Sequence, residues 1–102
     1  MIAPRIYALN EQSFTIEFGK EINTAVNDQV MALYYALQQQ TFAGFVESVP
    51  AYTTLTVYYD LFLITKEKGL GYTSARQYVF HKISEKLSQI TFDTFPALPV
   101  LV

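Results

Sequence analysis

An α+β fold is expected for this chain: a ferredoxin-like split βαβ sandwich with an extra N-terminal strand and two helices on one face of an antiparallel sheet. Three observations predict it. Residues 13–18 alternate, with Phe14, Ile16 and Phe18 to one side and Ser13, Thr15 and Glu17 to the other, the period of a half-buried strand. Two apolar stripes at helical spacing, Val26-Val30-Leu33-Tyr34-Leu37 and Val79-Phe80-Ile83-Leu87, mark two amphipathic helices. Between them, residues 45–49 and 54–59 form two strand-like runs hinged at Pro50. From Ser13 onward the order is strand, helix, strand, strand, helix, strand, which is the split βαβ pattern. A small all-β sandwich or barrel ranks second, because it has no ready use for two helices of this length.

Each element has a local reason. Residues 5–9 are the first strand, and the polar Asn10-Glu11-Gln12 turn is short enough to favour a hairpin with the next. Gly19 ends that second strand. Asn23 or Thr24 caps the first helix by accepting from an otherwise orphan amide. Residues 41–44 close it. In the second strand pair Leu55, Val57 and Tyr59 share a face, and Pro50, which lacks an amide hydrogen, belongs at a strand end or edge. Residues 61–64 prolong the apolar run as a strand end turning over the core. The Lys66-Glu67-Lys68-Gly69-Leu70-Gly71 stretch reads as a loop. Ser74, with Gln77 three residues on, has the spacing of a capping box and starts the second helix. Residues 90–92 are a final strand, and Pro96 and Pro99 break any regular element beyond it.

The 102 residues suffice for one core and are too few for two ordinary domains. We divide the chain into an α/β domain over 1–92 and a linker or first strand over 93–102. The apolar Leu98-Pro99-Val100-Leu101-Val102 end has no polar flank, so a continuation beyond it is expected, against the simpler reading that the tail pairs within this domain or across a dimer. Only 16% of residues are charged, which suits either a surface covered by another domain or subunit, or one made polar by Gln, Thr, Ser and Tyr. With seven basic residues against nine acidic and no basic stripe in the sequence, neither nucleic acid nor an anionic membrane is an expected partner. The absence of cysteine excludes disulfides, thiol nucleophiles and thiolate metal sites. Residues 1–5 do not open a signal-peptide pattern and no apolar run reaches bilayer length, so the expected location is cytoplasmic.

Few residues carry chemistry. His81 is the sole histidine, and Glu85 is its neighbour one helical turn on; two groups make a poor metal site, so a structural or exposed histidine is the expectation and no metal is assigned. No catalytic residue is assigned. Glu17 and Glu47 each sit in an otherwise apolar strand. Were those strands adjacent, the two carboxylates could pair, shift one another's ionisation and divide acid and base work; otherwise they are polar-face positions or partner contacts. No Gly-x-Ser-x-Gly elbow and no phosphate loop occurs, and Gly69-Leu70-Gly71 is too short to cradle phosphate. Tyr52, Tyr58, Tyr59, Tyr72 and Tyr78 either face a partner or complete a small core.

Several short motifs in order resemble a known family. Arg5-Ile6-Tyr7-Ala8-Leu9, Phe14-Thr15-Ile16-Glu17-Phe18-Gly19 and Ile22-Asn23-Thr24-Ala25-Val26-Asn27 are similar to the N-terminal part of allophanate hydrolase subunit 1. That family includes the B subunit of bacterial 5-oxoprolinase and an inhibitor of a sporulation sensor histidine kinase. Gly44-Phe45-Val46-Glu47-Ser48-Val49-Pro50-Ala51-Tyr52, followed by Tyr58-Tyr59-Asp60, carries the strongest resemblance, which spans roughly residues 5–92 and blurs over 61–72. It implies a two-domain protein whose second domain is a cyclophilin-like barrel absent here, with residues 95–102 as the linker entering it. It further implies a subunit of an ATP-dependent amide or lactam hydrolase complex that opens 5-oxoproline, with a carboxyltransferase-like companion subunit and a third subunit. No cofactor is expected in this chain; ATP is implied for the complex. Glu17, Glu47 and Tyr52 are the candidates for the partner-facing or shared-site surface. The alternative is a regulatory module that inhibits a sensor histidine kinase. The chain departs from the family at Asn10-Glu11, where members often have Gly-Asp, and at Thr53, where they often have Arg or Lys. Those departures bear on substrate more than on membership.

Overall fold

The computed structural model describes residues 4–90 and the backbone of 100–101. Strands β1 (Arg5–Asn10) and β2 (Ser13–Glu17) form a hairpin, and helix α1 (Thr24–Gln39) leads to strands β3 (Phe45–Pro50) and β4 (Thr54–Tyr59). Helices α2 (Leu61–Lys68) and α3 (Tyr72–Gln89) follow, and β5 (Val100–Leu101) returns to the sheet. The sheet order is β3-β4-β2-β1-β5. Because β4 is antiparallel to both β2 and β3, those two run parallel with β4 between them, so β2-α1-β3 is a split βαβ unit. The α+β class expected from the sequence is the fold observed.

The place beside β2 that a final strand would take in the ferredoxin-like order is filled by β1, paired antiparallel from Arg5↔Glu17 to Asn10↔Ser13. Of the expected strand over 90–92, Ile90 is instead the C-cap of α3, its N–H donating to the Lys86 carbonyl, and 91–92 lie outside the described residues. β5 pairs parallel with β1 at the far edge.

One core holds the molecule together. Ile6, Phe14, Ile16, Leu55, Val57 and Tyr59 project from one face of the sheet against Val26, Val30, Leu33 and Leu37 of α1 and Ala75, Val79, Ile83 and Leu87 of α3. Tyr34 and Phe80, expected within the buried stripes, are only partly buried at the margins of this core. Asn23 Oδ1 accepts from the Val26 amide at 2.9 Å, the cap expected for α1.

Residues 61–64 are helical, which corrects the expected strand end. Asp60 Oδ1 accepts from the Leu63 amide at 3.0 Å and starts α2, which ends at Gly69 in the left-handed conformation (φ 65°). An eight-residue helix with Leu61 and Ile64 buried closes the end of the core, so among the described residues three helices stand where two were expected. Gly44 makes this possible. It sits at φ 86°, and a Cβ there would overlap Ile64 Cγ1, so β3 and α2 meet across a residue that must lack a side chain. The start of α3 is also corrected: it begins at Tyr72 after an N-cap at Gly71 with no side-chain bond, and no Ser74–Gln77 box forms.

Candidate functional site

Since α1, α2 and α3 all bury residues in the one core cluster, no helix among the described residues lies on the second face of the sheet. The register of the strands arranges it in rows. Arg5, Glu17 and Thr54 form the first row, Tyr7, Thr15, Thr56 and Val49 the second, and Asn10, Ser13, Tyr58 and Glu47 the third. A bulge between Phe45 and Glu47 shifts β3 so that Glu47 and Val49 belong to this face while Ser48 turns to the core. Arg5 and Glu17 meet across the hairpin at 3.5 Å, and the Thr15 and Thr56 hydroxyls lie 3.0 Å apart. Glu47 and Val49 are exposed, the latter by 46%.

Glu17 and Glu47 therefore share a face without meeting. β4 separates their strands and two rows separate their positions, so the pairing that would divide acid and base work does not form. Glu17 has Arg5 as its partner instead. Tyr52 lies in the β3–β4 turn, at the Glu17 end of the sheet, where Phe18 N–H donates to Thr53 O and Asn27 Nδ2 donates to Tyr52 O. Tyr52 is 66% exposed. The three sequence candidates thus border one broad surface, two at one end and Glu47 at the other. They do not converge on a pocket.

The other tyrosines divide. Tyr59 is buried and stacks on Phe14 with ring centroids 5.6 Å apart, whereas Tyr72 is 55% exposed. Tyr58 and Tyr78 are half-buried. Burial pushes the Tyr59 phenol above its ordinary value of 10.0, against the opposing hydrogen bond and charge of Arg76. His81 is exposed with its ring 5.8 Å from Phe80, and among the described residues no group of three His, Asp or Glu side chains could hold a metal. Gly69 and Gly71 are the caps of consecutive helices, a joint with no phosphate-loop geometry. No helix among the described residues is long and apolar enough to cross a membrane.

Sequence reasoning missed one cluster. Arg76 Nε donates to Tyr59 Oη at 3.4 Å, and its guanidinium carbon lies 5.6 Å from the centre of the Phe14 ring. The only signal in the sequence was an arginine one turn into a helix, which by itself reads as solvent-facing.

Comparison with known proteins agrees with the fold. Residues 4–91 match the carboxyltransferase domain, subdomain C and D. The chain is 37% identical over 89 residues to the B subunit of 5-oxoprolinase from Bacillus subtilis strain 168, covering 87% of this chain and 37% of that protein. The chain therefore spans little more than a third of that relative's length. Among solved structures, the N-terminal domain of the histidine kinase inhibitor KipI from Bacillus subtilis superposes with a TM-score of 0.69 at 35% identity, over 92% of this chain and 94% of that one. PH0987 from Pyrococcus horikoshii follows at a TM-score of 0.62 and 28% identity, over 82% of this chain and 36% of that one.

Proposed function

The chain belongs to the family of the carboxyltransferase domain, subdomain C and D, and from that premise we propose that it is an N-terminal assembly domain within an ATP-dependent amide or lactam hydrolase complex of the 5-oxoprolinase kind. Its role is to hold a carboxyltransferase-like companion subunit and to form one wall of a shared site; a third subunit completes the complex. The observation that carries this is the helix-free sheet face. Around the buried Ser13 and Thr15 it presents the half-buried Tyr7, Thr54, Thr56 and Tyr58 and the exposed Val49, with Arg5 and Glu17 compensating one another and Glu47 left as the exposed charge. A broad surface of tyrosine and threonine with few charges suits a protein interface. Glu17, Glu47 and Tyr52 border that contact. ATP and the ring-opening chemistry are assigned to the assembled complex, because the candidate residues here lie on a surface and do not surround a reacting group.

A second reading is supported by the likeness to the KipI domain, which extends over 94% of that chain: a regulatory module acting on a sensor histidine kinase. One experiment separates the two. The protein is purified from its native cell and the co-purifying chains are identified by mass spectrometry. A carboxyltransferase-like companion is the expected result, and ATP-dependent 5-oxoproline cleavage that needs both components would follow. Recovery of a sensor kinase without that companion would replace the hydrolase reading with the regulatory one.

A further inference from the structure

Charge is unevenly spread along this chain. Residues 61–89 hold five basic residues against Glu67 and Glu85, a balance of +3, whereas the remainder holds two basic residues against seven acidic, a balance of −5. Most of the half-buried cations are individually accounted for. Arg5 meets Glu17 and Lys82 meets Glu85, while Lys86 lies in the last turn of α3, where the helix dipole favours a positive charge, and donates to Gln40 Oε1. Arg76 is different. It stands near the positive end of α3, whose first turn has no acidic residue, and no carboxylate among the described residues lies within 4.0 Å of it.

Arg76 is also held in place. The Phe14 ring lies beneath its guanidinium and the Tyr59 hydroxyl takes its Nε–H, which leaves the terminal nitrogens to donate elsewhere. One turn earlier on the same helix, Tyr72 is 55% exposed and stands edge-on to Phe62, itself 65% exposed, at 5.8 Å. Leu63 beside Phe62 is 39% exposed. An oriented arginine next to an exposed aromatic pair has the composition of an interaction hot spot.

We infer that Phe62, Tyr72 and Arg76 form a second docking surface, on the helical side of the sheet, for an acidic segment of a partner protein that places a carboxylate on Arg76 and an adjacent apolar side chain on the Phe62–Tyr72 pair. Charge complementarity selects this occupant: the surface lacks one anion, and a planar guanidinium pinned on its face and Nε edge is arranged for a carboxylate. The inference is independent of the identity of the companion on the other face of the sheet.

The test is an NMR titration of the isotope-labelled 102-residue chain with acetyl-Leu-Glu-Leu-Glu-amide, its Leu-Gln-Leu-Gln counterpart and sodium acetate. The acidic peptide is expected to shift the amides around Phe62, Tyr72 and Arg76, with binding about tenfold weaker for the glutamine peptide and for Arg76→Gln. Phe62→Ala alters an exposed ring only, so it keeps the test decisive if Arg76→Gln fails to fold; it is expected to weaken the acidic peptide several-fold. Equal binding of both peptides, shifts away from these residues, no response at millimolar peptide, or the same shifts from acetate at equal concentration would each overturn the inference.

Discussion

Gly44 shows how one residue can decide whether two elements meet. Its positive φ and the closeness of Ile64 act together, so Gly44→Ala combines a strained backbone with an overpacked contact and is expected to cost about 2–4 kcal/mol. Gly69 also has a positive φ, but a Cβ there meets nothing within 4 Å, so Gly69→Ala should cost only about 1 kcal/mol. Urea unfolding of both variants measures the difference. Tyr59 makes a separate prediction about pH. Its folded pKa is raised, so the unfolded chain loses this proton first, and the stability it contributes is complete below the ordinary value of 10.0 and falls as pH rises past it. Tyr59→Phe is expected to flatten that part of the alkaline loss when stability is followed from about pH 9 to about pH 11.

The instructive element is α2. Its residues, Leu61-Phe62-Leu63-Ile64, read as strand because a continuous apolar run has no period that distinguishes strand from buried helix. The deciding feature is Asp60, whose side chain satisfies an orphan amide and turns the chain into a helix directly after β4. Asp60→Ala is expected to destabilise the fold by about 1 kcal/mol and Asp60→Asn by much less, since asparagine caps equally well. Thermal unfolding followed by circular dichroism checks both. The start of α3 teaches the converse. Ser74 and Gln77 have capping-box spacing, but the helix begins earlier and the spacing is not used.

For the whole molecule, the split βαβ arrangement places α1 and α3 over one face and leaves the other to the rows of β1–β4. If that face holds the companion, Glu47→Lys and Val49→Asp should abolish co-purification. Both side chains are exposed, so each variant should stay within about 0.5 kcal/mol of the parent in stability. Lost co-purification with unchanged folding assigns the contact to this face, and retained co-purification moves it elsewhere. The Arg5–Glu17 pair is a poorer probe: it is partly exposed and exposed ion pairs contribute about 1 kcal/mol or less.

Legible in the amino-acid order alone are the alternating strands 13–17 and 54–59, the buried stripes of α1 and α3, the Asn23 cap, the α+β class and the motifs of the family. These rest on short-range periodicity and on hydrogen bonds within a few residues. Tertiary packing was needed to set β1 in the place beside β2, to put β4 between Glu17 and Glu47, and to bring Arg76 to rest on Phe14 and Tyr59. Strand order and the meeting of residues distant along the chain depend on which surfaces are buried together. Periodicity shows which side of an element is apolar, but it cannot show which element covers that side.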